Sequence, residues 1–499
     1  MREGCSIFDT SSYTQHALEI WSQIQKEIFS DSDDEIKNES LRTLTTIINK
    51  ISQSNEERFT SILKDISITV KGNLLPGSKL FEPSANILLY VALASQECAT
   101  YMMKEVIPLL TNTFNIITPS AKKAIILKTV IPFVKAYLNQ CNEVNLTEYE
   151  ELETVPILCL KASMEEESSL KATGFDGLSD LVENLPLPIR MSVYRYLHKI
   201  IIIPQEQNVR ISVLNCFKNL STIYQDEINE YVLYKTKIND PCQLDLYLNA
   251  LNVIANLNYF KDIVSDTLLY YAAENIHLAV VAVKNLKQLL EKESKNIAII
   301  ETFLQKRTVK KFVNYAITED IINRNSNHEL LLYIASILKI LIGSQRCEIQ
   351  SNIIKQQLHI IDNFKEKSEE VYVFLLDGLL SRFRKAVPLD HNILDMLTTI
   401  SLTNKNDLVR DIATQLLANL INKQAEGEHL NHCLDIIKKH CLKTINSSKS
   451  NVIVTLSWIT KALVMRNHFQ GNLWTELVRI HPRTSYSLSE TVIKFIVFV

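Results

Sequence analysis

The sequence predicts an all-α protein, an α-solenoid of repeated helical hairpins. Three observations carry that prediction: one helix recurs along the chain, it recurs at a steady interval, and glycine is scarce. The recurring helix is clearest at residues 406–422, NDLVRDIATQLLANLIN. Leu408, Ile412, Leu416 and Leu420 lie one turn apart, with Val409, Ala413, Leu417 and Ile421 beside them. They form a broad apolar stripe, and Arg410, Asp411, Thr414 and Gln415 take the other face. Residues 208–220, NVRISVLNCFKNL, run in register with it: Val209 on Val409, Arg210 on Arg410, Val213 on Ala413, Phe217 on Leu417, Asn219 on Asn419 and Leu220 on Leu420.

The interval follows from two more copies. Residues 170–182 place Leu170, Gly174, Leu178 and Leu181 where 208–220 has Val209, Val213, Phe217 and Leu220. Residues 277–290 offer Leu278, Ala282, Leu286 and Leu289. From Leu170 to Val209 is about 39 residues, and from Leu278 to Val409 about 131, three steps of about 44; HEAT and armadillo arrays repeat every ~40–47 residues. On the order of eleven helix pairs then fill 499 residues. The expected organisation is one continuous HEAT-repeat array over 1–499, truncated at both ends, and not the roughly three globular domains that length alone suggests. Nine glycines in the chain are about a quarter of the ~7% average usage. Helices joined by polar turns tolerate that scarcity; phosphate-loop α/β enzymes do not.

In order, residues 16–29 make a first helix, with Leu18, Trp21, Ile24 and Ile28 on one side. After an acidic turn at 31–35, a second helix at 38–51 carries Leu41, Leu44, Ile47, Ile48 and Ile51. Pro76-Gly77 is a turn, Pro83 sits near a helix start, and 87–94 is buried. Helices are expected at 106–114, 121–138 and 155–162, then at 330–342, 371–383 and 451–464. The segment 142–154, NEVNLTEYEELET, is acidic and poor in core residues, and reads as an inter-repeat loop. Residues 155–159 and 200–203 are apolar enough for strands but lack alternating partners and hairpin turns. The C-terminal TVIKFIVFV has no polar closing face, so further repeats are expected beyond it.

Composition narrows the function. A hydrophobic fraction of 46% supports a large core, and a net charge of −3 offers no global basic field for nucleic acid. Nine scattered cysteines without a CxxC pair suit buried free thiols in a reducing compartment. The N-terminal residues have no signal-peptide apolar region. The longest apolar run, 330–342, is broken by Lys339 and too short to span a bilayer. Cytoplasm and nucleus are the expected compartments, with no membrane partner.

Candidates for chemistry are few. His429, His432, Cys433, His440 and Cys441 crowd one helix. His429 and Cys433 are a turn apart and suit a shared metal, but His440 lies roughly 10 Å beyond, and no second pair of zinc-finger spacing follows. The alternative is a solvated histidine face over buried thiols, and no metal or cofactor is expected. There is no GxSxG, Walker loop, HExxH or GxGxxG, so no enzyme is expected. Arg382, Arg384 and Lys385 surround Phe383 and are the candidate partner-binding residues, suited to phosphate or an acidic partner. Such a cluster ordinarily faces its own helix dipole at a C-terminus, here with Pro388 beyond. The acidic runs 31–35 and 165–167 read as solvated turns open to a basic partner. Arg210 and Arg410 recur at a position suited to bridging neighbouring repeats.

Two stretches carry a family resemblance: residues 78–110, with Lys79, Leu80, Phe81, Pro83, Leu88, Leu89, Pro108, Leu109 and Leu110, and residues 454–468, with Trp458, Thr460, Lys461, Ala462, Leu463, Val464 and Arg466. The loop 418–423, ANLINK, also fits. The ordered set resembles the HEAT-repeat scaffolds of the cytosolic iron–sulfur assembly targeting complex, a DNA-repair and transcription family named for methyl-methanesulfonate sensitivity. That resemblance implies a non-catalytic adaptor. It would bridge a β-propeller subunit and a small acidic-site subunit, which hold the nascent cluster, to apo iron–sulfur helicases, polymerases and primase. The scaffold itself binds no nucleic acid directly and ligates no cluster, in keeping with the lack of a Cys₄ set here. In the family the most C-terminal repeats dock the targeting partners, and this chain is expected to end before they are complete; no contact residue is carried over. The competing reading is another α-solenoid, such as a nuclear-transport receptor, against which the small net charge counts because that class needs a strongly acidic inner face.

Overall fold

Periodic apolar residues and frequent polar caps make helices, and a computed structural model shows helices throughout. It describes residues 10–30, 33–53, 56–140, 150–318, 321, 328–364, 367–384 and 391–464, and among these there is no β-strand. The chain divides into two compact units, Met1–Lys237 and Ile238–Val499, each taken by itself.

The first unit contains α1 (Thr10–Phe29), α2 (Asp34–Ser52), α3 (Glu56–Lys71), α4 (Phe81–Ala92), α5 (Gln96–Glu105), α6 (Ile107–Ile116), α7 (Ser120–Gln140), α8 (Glu150–Ser163), α9 (Ser168–Asp180), α10 (Leu187–Ile200), α11 (Gln207–Ile223) and α12 (Gln225–Tyr231). The second contains α13 (Pro241–Ile254), α14 (Lys261–Ala272), α15 (Ile276–Lys292), α16 (Ile297–Gln305), α17 (Thr308–Ala316), α18 (His328–Gly343), α19 (Cys347–Asp362), α20 (Glu369–Leu380), α21 (His391–Thr403), α22 (Asp407–Asn422), α23 (Glu428–Thr444) and α24 (Lys449–Val464). In the first unit α2, α4, α7, α9 and α11 pack in succession; in the second α13, α15, α18, α20, α22 and α24 do so. The helices between them pack onto this row. This is the hairpin stacking of a HEAT/armadillo solenoid.

Side-chain bonds between helices reach about one period along the chain. Thr45 Oγ1 donates to Tyr90 O, 45 residues on. Asn219 Nδ2 donates to Ser179 Oγ at a separation of 40, as Asn285 does to Asp245 Oδ1. Asn419, in register with Asn219, donates to Ser381 O, 38 residues back. Asn219 and Asn419 thus tie each copy of the recurring helix to the repeat before it. The recurrent arginines act nearer home: Arg210 Nη1 donates to Ile201 O and Arg410 Nη1 to Asn404 O, both at 2.7 Å. Each closes the turn leading into its own helix.

Several boundaries differ from expectation for physical reasons. Residues 150–154 of the expected acidic loop open α8, because Leu152 and Val155 are buried there; 141–149 lie outside the described residues. The apolar segment 155–159 is therefore helical. Leu408 faces outward at 37% exposure, while Thr414 of the expected polar face is buried, its Oγ1 3.5 Å from Thr455 Oγ1. The cause is packing on two sides: α22 lies between α20 and α24 in the row and against α21 as well. Asp33 caps α2, accepting from Glu35 N, and Glu167 caps α9, accepting from Ser169 N and Leu170 N. Both acidic runs thus contribute helix caps.

One polar cluster braces α10 against α12. Arg190 donates through Nε and Nη2 to both oxygens of Glu227, at 3.1 and 3.0 Å, and Tyr194 Oη donates to Glu227 at 2.7 Å. The guanidinium also lies 4.2 Å from the Tyr224 ring centroid. Desolvation pushes the Glu227 carboxyl up, but the hydrogen bonds from Arg190 and Tyr194 and the Arg190 charge outweigh it and hold it below its ordinary value. The pair's contribution is therefore full above the ordinary carboxylate pKa and fades as pH falls through the depressed one. Glu227→Gln is expected to cost about 1–2 kcal/mol at neutral pH and to flatten the loss of stability in acid. Denaturant melts at pH 7 and pH 4 check both; a variant as stable and as acid-sensitive as the parent would refute the account.

Candidate functional site: a basic cleft across helix C-termini

A cleft lies in the second unit, where four helices of the packed row end. It has a volume of about 780 Å³. Glu291 stands in the last turn of α15, Lys339 and Gly343 in the last turns of α18, Arg382 and Arg384 just past α20, and Lys423 at the end of α22. Helix C-termini carry partial negative charge and unpaired carbonyls, so cations gather there. Lys423 Nζ donates to Leu380 O at 3.2 Å and Ser381 O at 2.9 Å, capping α20 from the next helix of the row. Lys339 pairs with Asp377 at 2.6 Å. Arg384 Nη2 donates to Gly343 O at 3.4 Å, and Gln350 Oε1 accepts from Arg384 N at 3.3 Å.

Four cations thus face the cleft against one carboxylate, Glu291. Lys339 has its own partner, while among the described residues no carboxylate pairs with Arg382, Arg384 or Lys423. Desolvation, and then the charge of Arg382, push the Lys423 ammonium down to about 8. A negative charge beside Lys423 would favour its charged form and offset the repulsion from Arg382.

Of the candidate residues, the structure brings Arg382 and Arg384 into this cleft, both exposed, and Lys385 lies outside the described residues. Phe383 is buried at 6% exposure. Helix α20 ends at Leu380, short of the expected 383, so the cations follow the helix as a short tail and do not sit on it. Sequence reasoning missed Lys339 and Lys423 as members. The available signal was slight: Lys339 is the one lysine or arginine of α18, and Lys423 stands at the C-cap of α22.

The histidine–cysteine segment is distributed differently. Cys433 and Cys441 are buried, and His429 and His432 are exposed. His429 Nε2 is 3.9 Å from Cys433 Sγ, His432 meets His391 of α21 at 3.3 Å, and His440 meets Asp395 at 3.1 Å. Among the described residues no group of three or more His, Cys, Asp or Glu side chains is arranged to hold a metal ion. Cys98, Cys159 and Cys216 are also buried and free, and burial pushes the Cys98 thiol up to about 11. Cys242 is exposed and Cys347 half-buried, outside the expected pattern. No helix among the described residues is long and apolar enough to cross a membrane.

Stacked hairpins and asparagine ties between repeats define a helical-repeat protein. The particular relatives follow from sequence. Residues 250–489 match the family model described as RNAPII transcription regulator C-terminal. The chain is similar to the MMS19 nucleotide excision repair protein homologs of mouse, 21% identical over 93% of this chain and 51% of the relative, and of human, 20% over 93% and 51%. The Xenopus laevis homolog is 27% identical over 26% of this chain and 13% of its own length. The chain spans about half the length of the curated relatives it matches over most of its own length. Among solved structures, the crystal structure of Kap121p aligns over 97% of this chain and 53% of that one, with TM-score 0.46 and 12% identity.

Proposed function

We propose that the chain acts as part of a non-catalytic adaptor of the cytosolic iron–sulfur protein assembly machinery, working in cytoplasm and nucleus. It brings the targeting complex to apo iron–sulfur proteins of DNA replication and repair. The observation that carries this reading is similarity to MMS19 homologs along 93% of the chain, on a fold whose stacked helices expose long ridges suited to protein contact. Its partners are a β-propeller subunit and a small acidic-site subunit, and its clients are apo helicases, polymerases and primase. Arg382, Arg384 and Lys385 contribute to partner contact.

The test is affinity purification with mass spectrometry, run in parallel on the complete gene product and on this chain. The β-propeller subunit and apo iron–sulfur enzymes are expected with the complete product. Recovery of neither would remove the proposal.

A further inference from the structure

We infer that the cleft across the C-termini of α15, α18, α20 and α22 is a docking site for an acidic peptide segment, rich in Asp or Glu, of a protein partner. The inference deepens the adaptor reading and rests on it only in taking the ligand to be a protein. Charge complementarity selects this occupant. Arg382 and Arg384 present planar donor forks that match carboxylates. Lys423 sits deeper, already spending donors on Leu380 O and Ser381 O, and a carboxylate beside it would complete its surroundings. The hydroxyls of Ser336, Ser344 and Ser381 line the same space and can meet peptide amides. A volume of about 780 Å³ holds a short run of side chains.

Nucleic acid fits less well. Its single-strand binders offer exposed aromatic faces for base stacking along a positive groove. Here the one aromatic in the cluster, Phe383, is buried. The cations are confined to one cleft of a chain whose net charge is −3.

The effect of pH follows from Lys423. Its ammonium, pushed down to about 8, loses its charge as pH rises through that value, so the cleft holds an acidic peptide less well at pH 9 than at pH 7. Arginine at 423 stays charged across this window. Lys423→Arg therefore preserves binding at pH 9.

The experiment measures fluorescence anisotropy of a labelled hexaglutamate peptide titrated with the whole 499-residue chain at low salt. Arg382→Ala combined with Arg384→Ala is expected to weaken binding by about tenfold or more. Lys310→Ala combined with Lys311→Ala removes an exposed cation pair of α17 and is expected to change affinity less than about twofold. Circular-dichroism melts confirm that each variant is folded. Equal losses in the two double variants would overturn the inference, as would binding of the parent chain that is unchanged from pH 7 to 9. Tighter binding of a thymidine hexanucleotide than of hexaglutamate overturns it in favour of nucleic acid. Because the ligand is synthetic, failure here leaves the affinity-purification result standing, and the reverse also holds.

Discussion

Gly174→Ala is expected to destabilise the first unit by about 3 kcal/mol, at the upper end of overpacking effects. Gly174 faces α8 from the middle of α9. A Cβ there would stand 2.4 Å from Ser163 N, 2.6 Å from Cys159 O and 2.9 Å from Ala162 C. All three are backbone atoms, so no rotamer change relieves the overlap and the helices must part. Gly177, one turn on, would meet Cys159 Sγ and Ile131 Cδ1, each at 2.6 Å; there side chains can yield. The matched control is Gly72→Ala, where a Cβ meets nothing within 4 Å. It should be neutral or slightly stabilising, since alanine narrows the unfolded ensemble. In thermal melts the first variant should lose about 6–12 °C, given ~2–4 °C per kcal/mol for a unit of this size. Coincident melting of the two variants would show that α8 and α9 do not approach so closely.

The second large effect lies on the recurring stripe. Phe217 of α11 and Leu417 of α22 occupy the same repeat position, and both are 0% exposed. Phe217→Ala is expected to cost about 3–5 kcal/mol, and Leu417→Ala about 2–5, through lost burial plus the cavity left behind. Leu408→Ala, on the same helix but 37% exposed, should cost less than about 1 kcal/mol. Urea titrations of the three variants give the comparison. A Leu417→Ala loss no larger than that of Leu408→Ala would refute the assignment of the buried face.

These positions show what was legible in the sequence. Val209, Val213, Phe217 and Leu220 are all buried, as their helical spacing required, and the copy at 406–422 begins at its cap, Asn406. Periodicity speaks clearly where a helix is long and buried on one side. It was silent for short helices such as α5, α12 and α17, whose few turns hold too little pattern. It also misplaced Leu408 and Thr414, because a helix packed on two sides buries more than one stripe. Gly174 was read as a stripe position, but spacing alone does not show that α8's backbone approaches it. The cleft was half legible. Arg382 and Arg384 are contiguous in sequence, whereas Lys339 and Lys423 reach them from helices about one period away on either side, and only packing reveals that meeting.

The reach of the inter-helix bonds also bears on how the chain assembles. Asn219–Ser179, Asn285–Asp245 and Lys306–Asp266 each close a span of 40 residues, and His432–His391 one of 41. Closing a loop costs entropy that grows only with the logarithm of its length, and here the length barely changes from one bond to the next. Each added hairpin therefore meets nearly the same entropic barrier and needs only its predecessor as a template. Growth within each unit becomes a zipper, open to nucleation at any hairpin and able to proceed while the chain emerges from the ribosome.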